Sequence, residues 1–206
     1  MNIQIPPVTQ ALILVNVVVF FVEMLLEQMF GLGLRGWFGL WPIGVEVPQN
    51  VGPGFMPWQV VTYAFLHGDM WHLFFNMFAL FMFGSEIERL YGSRWYLLYF
   101  TVCVLSAAAA QLIVAAVTNA PAYPTIGASG GVFGLLLAFG MNFPRRTIVL
   151  VIPPIPMPAW LFVTLYGVLE LYFGVFGVMP GVAHFAHLGG MVGGFLMLKQ
   201  RRGWRR

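Results

Sequence analysis

"PTIGASGGVFGLLLAFGMNFPRR", residues 124–146, sets one hydroxyl, Ser129, in a run of glycines, follows it with a short apolar stretch, and closes on two arginines. The chain around it has lipid as its natural solvent. Apolar residues make up 60% and charged residues 8%, with a mean hydropathy of +0.83, against about 25% charged residues in an average soluble domain. Six apolar runs are placed at about 9–30, 69–88, 94–117, 128–142, 158–177 and 184–199, separated by short Gly, Pro and Arg stretches. These predict an all-α polytopic membrane protein: one domain over residues 1–206 with six transmembrane helices, and no repeat, low-complexity tract or attached soluble domain. "MNIQIPPVTQ" lacks a basic n-region, and no small-residue cleavage site follows the first run. That run therefore reads as a retained span.

Charge tests the layout. Arg89 and Arg94 follow the second run, Arg145 and Arg146 the fourth, and Lys199, Arg201, Arg202, Arg205 and Arg206 the sixth; only Arg35 falls elsewhere. Nine of the ten basic residues thus share one side, which predicts cytoplasmic termini. With no transit peptide ahead of the first run, the expected location is the plasma membrane of a prokaryote. The net charge of +3 is topological in origin, so no nucleic-acid partner is expected. Cys103, the single cysteine, cannot form an internal disulfide and reads as a small buried hydrophobe. The long outer loop at about 31–68 carries "GWFGLWP" and "MPWQVVTYAF", whose aromatics suit the headgroup boundary and predict a loop resting in the outer leaflet.

Depth follows from counting. At 1.5 Å per helical residue, Ser129 stands about 24 Å from Arg145, His72 about 25 Å from Arg89 and His187 about 21 Å from Arg201, in a hydrocarbon core of about 30 Å. Three polar residues from three spans therefore meet at one level beneath the outer surface. A lone Ser or His in a span most often bonds a neighbouring helix; several at one depth point to a shared site.

In "HGDMWHLFFN", His72 and Asn76 are four apart on one helix face, with His67 further out. Two donors aimed from one face suit an oxyanion hole. Four histidines also raise the possibility of a metal, but H-x4-H is poor ligand spacing and no HExxH is present, so neither metal nor cofactor is expected. Gly130 and Gly134 after Ser129, and Gly190 and Gly194 after His187, form two small-residue ridges that permit close helix approach and bring Ser129 within reach of His187. A Ser–His pair suffices for acyl transfer. No acid is evident as a third member: Asp69 reads as a helix cap. Phe133, one turn after Ser129, is placed to stack on His187. His184 takes no role. A small transporter would need intramembrane carboxylates, for which Glu170 is the one candidate, its alternative being a hydrogen bond to a neighbouring span.

In order along the chain, "GASG", the H-x4-H-x3-N set of His67, His72 and Asn76, and "AHLGGMVGG" (186–194) resemble the motifs of the rhomboid family of intramembrane serine proteases. The resemblance covers residues 9–199. It implies a six-span rhomboid-like bundle with a long membrane-associated first outer loop, a Ser129 nucleophile and a His187 general base. It also implies an oxyanion hole from His72, Asn76 and the Ser129 N–H, with Phe133, Gly127, Gly130 and His67 in support. The implied substrates are single-span membrane proteins, cut in or near the outer part of their transmembrane segment, with the lipid bilayer as the other partner. Oligomeric state is not implied. Degenerate relatives that bind or escort membrane proteins without cutting them are the alternative, distinguished by loss of the Ser or His. One departure is Trp58–Gln59, where the family often has Trp-Arg before its TxxFxH segment. The aromatic-rich second and fifth spans, with the loop at about 178–183, are expected to form a gate.

Overall fold

The computed structural model describes residues 4–48, 50–118, 123–149, 154–179 and 181–203. Pro180 of the expected gate loop, together with Arg205 and Arg206, lies outside the described residues. Helix α1 (Pro7–Phe30) starts on a proline, whose missing N–H costs nothing in a first turn, and ends at Gly31 in the left-handed conformation (φ 66°). Two short helices, α2 (Leu34–Phe38) and α3 (Gln59–Thr62), follow, the second continuing into a tight turn at Tyr63–Phe65. α4 (Met70–Ala79), a π-helical stretch at Leu80–Gly84 and α5 (Ser85–Tyr91) then form one continuous rod. α6 (Ser93–Thr118), α7 (Ser129–Asn142), α8 (Ala159–Phe176) and α9 (His184–Gly203) complete the helices. A small hairpin joins α7 to α8, with β1 (Thr147–Val149) antiparallel to β2 (Pro156–Pro158) and Ile148 opposite Met157. The architecture is an all-α polytopic membrane bundle; among the described residues, α1, α6 and α8 are the helices long and apolar enough to cross on their own.

The bundle is built around α6, whose Tyr96, Tyr99, Cys103 and Ala107 are fully buried. Glycines of α7 and α9 make the close packing possible. A side chain at Gly190 would begin inside the Gly130 carbonyl, one at Gly134 would overlap Cys103, and one at Gly189 would overlap Ala110. The expected pairing of two ridges is corrected in one respect. Gly190 does face Gly130, but Gly194 faces Tyr99 and Cys103 of α6, because α9 is wedged between α6 and α7 and turns successive glycines toward different neighbours. Tyr99 also donates to the Gly134 carbonyl at 2.7 Å.

Carboxylates lock the periphery. Buried Glu88 accepts from the N–H groups of Val8 (3.0 Å) and Thr9 (2.7 Å) and from the hydroxyls of Thr9 (2.8 Å) and Ser93 (2.6 Å), satisfying the unpaired donors that open α1. Glu86 bridges Arg89 (3.2 Å) and Arg146, and Arg89 reaches the Gln4 carbonyl at 2.8 Å. On the opposite side, Glu23 of α1 holds Arg35 at 3.0 Å. This gives the lone basic residue of the outer loop a partner.

Gln59 anchors that loop in the position where the family often has arginine. Fully buried, it accepts from the Trp41 N–H (3.2 Å) and donates to the carbonyls of Trp37 (3.2 Å) and Gly54 (2.8 Å). A neutral amide does this without a counter-ion because it carries donor and acceptor together.

Gly190→Ala is expected to lower stability by about 2 kcal/mol or more, since relief requires α7 and α9 to separate. Gly33→Ala is expected to be neutral, because nothing lies within 4 Å of that position and its φ of −83° is ordinary. Thermal unfolding of both variants in detergent micelles checks the contrast.

Candidate active site

Ser129 is the first residue of α7, so its own N–H has no acceptor within the helix. The segment leading to it is pinned from above. Leu40 and Thr125 exchange both backbone hydrogen bonds at 2.9 Å, and the Gly127 N–H donates to the Tyr63 carbonyl at 2.9 Å. At 14 residues, α7 spans only about 21 Å of a core of about 30 Å. It ends beside the arginines at 145 and 146.

Ser129 Oγ is 2.8 Å from His187 Nε2. The Phe133 ring lies on the His187 imidazole at 4.3 Å between centroids and 7° between planes, which fixes the ring's plane. Gly127 has φ +121°, a conformation side chains rarely adopt, and a Cβ there would stand 2.8 Å from His72 Nε2 and 3.7 Å from Ser129 Oγ. Glycine at 127 therefore leaves open the space between His72 and Ser129.

The His72 tautomer follows from its neighbours. Its Nδ1 accepts from the Gly68 N–H at 3.3 Å, so in the neutral ring Nε2 carries the proton and presents it toward Gly127 and Ser129. Asp69 caps α4 through Trp71 (2.8 Å) and His72 (2.9 Å), holding the turn that carries the ring. Asn76 is buried and donates to the His72 carbonyl at 2.9 Å. His67 packs edge-on against His72, with centroids 5.0 Å apart. It is fully enclosed, with the Phe65 backbone beside its ring. Burial, with the neighbouring His72, pushes its pKa down to about 3.

Glu170, read from the sequence as either a transport carboxylate or a hydrogen bond to a neighbouring span, makes that hydrogen bond, and His184, given no role, shares it. Glu170 Oε2 lies 2.8 Å from His187 Nδ1 and 2.7 Å from His184 Nδ1. His184 Nε2 lies 3.0 Å from the Val178 carbonyl oxygen. The chain therefore places a carboxylate behind His187, where the sequence made no acid evident as a third member. The three groups offer donor atoms within 4.8 Å of one another. Two ligands on a tetrahedral ion at about 2.0–2.1 Å stand about 3.3 Å apart, so the 2.7 and 2.8 Å separations are those of hydrogen bonds.

A cavity of about 1270 Å³ opens beside Ser129 and His187 and is bordered by His72, Asn76, Phe133 and Tyr166. Its walls run from Asp69 to Arg146, between the rod of α4 and α5 on one side and α7 and α8 on the other.

Residues 54–201 match the Rhomboid domain. The chain belongs to the rhomboid family. Among rhomboid relatives, it is 33% identical over 103 residues to "Rhomboid protein 1, mitochondrial" of Saccharomyces cerevisiae, covering 50% of this chain and 30% of that protein. It is 30% identical over 173 residues to "RHOMBOID-like protein 4" of Arabidopsis thaliana, covering 78% and 39%. It is 29% identical over 149 residues to "Rhomboid protease GluP" of Bacillus subtilis, covering 67% and 25%. The rhomboid region shared with each relative is thus less than half of that relative's length.

Between pH 6.5 and about 3, the unfolded chain holds a proton at residue 67 that the folded chain excludes. Stability is therefore expected to fall as pH drops through that window, by up to about 1.4 kcal/mol per pH unit, with no contribution above it. His67→Asn, which cannot titrate, is expected to lose this slope. Unfolding of both proteins at a series of pH values measures it.

Proposed function

We propose that this chain is an intramembrane serine endopeptidase that hydrolyses peptide bonds of single-span membrane proteins in or near the outer part of their transmembrane segment. The observation that carries the reading is the 2.8 Å contact between Ser129 Oγ and His187 Nε2, beneath the membrane surface and open to a cavity between helices. His187 Nε2 takes the Ser129 proton as Oγ attacks the peptide carbonyl, then delivers it to the leaving amine. Water, deprotonated by the same nitrogen, releases the acyl group. Negative charge on the carbonyl oxygen is met by the His72 Nε2–H, the Asn76 amide and the Ser129 N–H, all bordering one space. Gly127 and Gly130 keep that space and the helix approach open, Phe133 holds the His187 plane, and His67 backs His72.

A substrate helix hides its peptide bonds in its own hydrogen bonds, so a segment that unwinds easily reaches Ser129 at least cost. Entry is sideways, between α4 and α8, because the cavity runs along that seam. The basic face lies in the cytoplasm of a prokaryotic plasma membrane, with both termini on it, as the nine clustered Lys and Arg residues favour. Binding or escort without cleavage is the weaker reading, because both Ser129 and His187 are present and in contact.

Cleavage of a single-span substrate in proteoliposomes tests the chemistry. Ser129→Ala and His187→Ala are each expected to lose about 1000-fold or more, and Asn76→Ala about 100-fold. Undiminished cutting by folded Ser129→Ala would refute the assignment. For the entry route, Phe75→Cys and Phe162→Cys can be joined by a thiol cross-linker in a Cys103→Ala background. Cross-linking is expected to suppress cleavage of the membrane substrate about tenfold or more, while labelling of Ser129 by a small fluorophosphonate persists. Full cleavage by verified cross-linked protein would exclude this entrance.

A further inference from the structure

Glu170 is the only carboxylate of α8, and it sits where a lone charge is costly in lipid. Its surroundings show how it is held. His187 Nε2 faces the Ser129 hydroxyl at 2.8 Å, so for that nitrogen to accept the proton, Nδ1 must already carry one. Glu170 Oε2, at 2.8 Å, is the acceptor in line with it. On the other side, His184 Nε2 meets the Val178 carbonyl, which only accepts, so that nitrogen is protonated too. The 2.7 Å gap between His184 Nδ1 and Glu170 Oε2 then holds one further proton. The Glu170–His184 pair is neutral as a unit, whichever member carries it. The titratable groups that face this pair are His187 of α9, Tyr166 on α8 itself, and His72 of α4 beyond His187.

We propose that Glu170 is a positioning residue that extends Ser129–His187 into a three-member hydrogen-bonded set, and that His184 is the counter-group that keeps the carboxylate in the bundle. This rests on the protease reading above. During attack, the Ser129 proton moves to His187 Nε2, the Nδ1 proton stays where it is, and the resulting imidazolium lies against Oε2. No proton passes to Glu170. Phe133 fixes the plane of the ring, and Glu170 fixes its rotation within that plane and its tautomer. His184, three residues before His187, presents its ring from the same face of α9 and ties Glu170 to the carbonyl at the start of the loop after α8.

The experiment uses the full chain in micelles and proteoliposomes, following the rates of substrate cleavage and fluorophosphonate labelling from pH 5 to 9. Glu170→Gln is expected to lower kcat about 10- to 100-fold with KM changed less than about twofold. The acid limb of its pH profile is expected to differ from that of wild type, because the group that Nδ1 of His187 faces at 2.8 Å has been changed. Glu170→Asp keeps the charge and is expected to retain the limb, which preserves the test if the Gln variant fails to fold. A role limited to tying α8 to α9 predicts a lower Tm with the limb unmoved. That outcome, or a Glu170→Gln variant within about threefold of wild type, overturns the proposal. Proton NMR of imidazole-labelled protein adds a readout independent of activity. A low-field Nδ1–H resonance is expected in wild type and in Ser129→Ala and absent in Glu170→Gln. If wild type is inert to phosphonate and substrate, the protease reading fails, and the resonance alone decides the Glu170–His187 link; its absence from wild type refutes it.

Discussion

The Gly130 carbonyl occupies the place where a side chain at Gly190 would begin, and the spacing of the site is set by that contact. Ser129 precedes Gly130 by one residue, and His187 precedes Gly190 by three. Once the two backbones touch at 130 and 190, the hydroxyl and the imidazole one turn above have little freedom to separate. A helix pair in lipid has no hydrophobic force drawing it together, so van der Waals contact between close backbones must supply the cohesion. Tyr99 reinforces it by donating to the Gly134 carbonyl. α6 acts as the rigid wall against which α7 and α9 are both set.

Polar groups inside the bundle follow one rule: each acid there closes a connection between elements. Glu88 joins the start of α1 to α5 and α6, Glu23 joins α1 to the outer loop through Arg35, and Glu170 joins α8 to α9 through two histidines. In a medium without water, an acid without partners is expelled or protonated. The same cost makes these links directional. His67, fully enclosed, is held edge-on against His72, with ring centroids 5.0 Å apart.

Much of this was readable from residue order. The four-residue step from Ser129 to Phe133 put an aromatic on the hydroxyl's face of the helix. The stack on His187 follows once α9 is close. What periodicity does not carry is which neighbour a glycine faces. Gly190 and Gly194 share one stripe by spacing, yet one meets α7 and the other α6, since a wedged helix rotates its contacts along its length. The anchoring of the outer loop by Gln59 was equally invisible, because its bonds go to backbone carbonyls whose positions depend on how the loop folds.

A hydrogen bond from Glu170 to a neighbouring span was legible in the sequence as one of two readings, whereas the identity of its histidine partners was not. Counted from the basic end of its own helix at Ala159, Glu170 stands about 17 Å up, close to the level found for His187. His184 is three residues before His187 and therefore on the same face of α9. A carboxylate and two histidines at one level, on consecutive helices joined by a short loop, are constrained to meet. The loop gives that meeting a mechanical consequence: its first residues are tied through Val178 to His184, and its last residue is followed directly by His184 at the head of α9. Displacing the loop thus disturbs the group that holds Glu170, and through it the orientation of His187. A loop at the mouth of the cavity and the imidazole inside it are parts of one hydrogen-bonded unit.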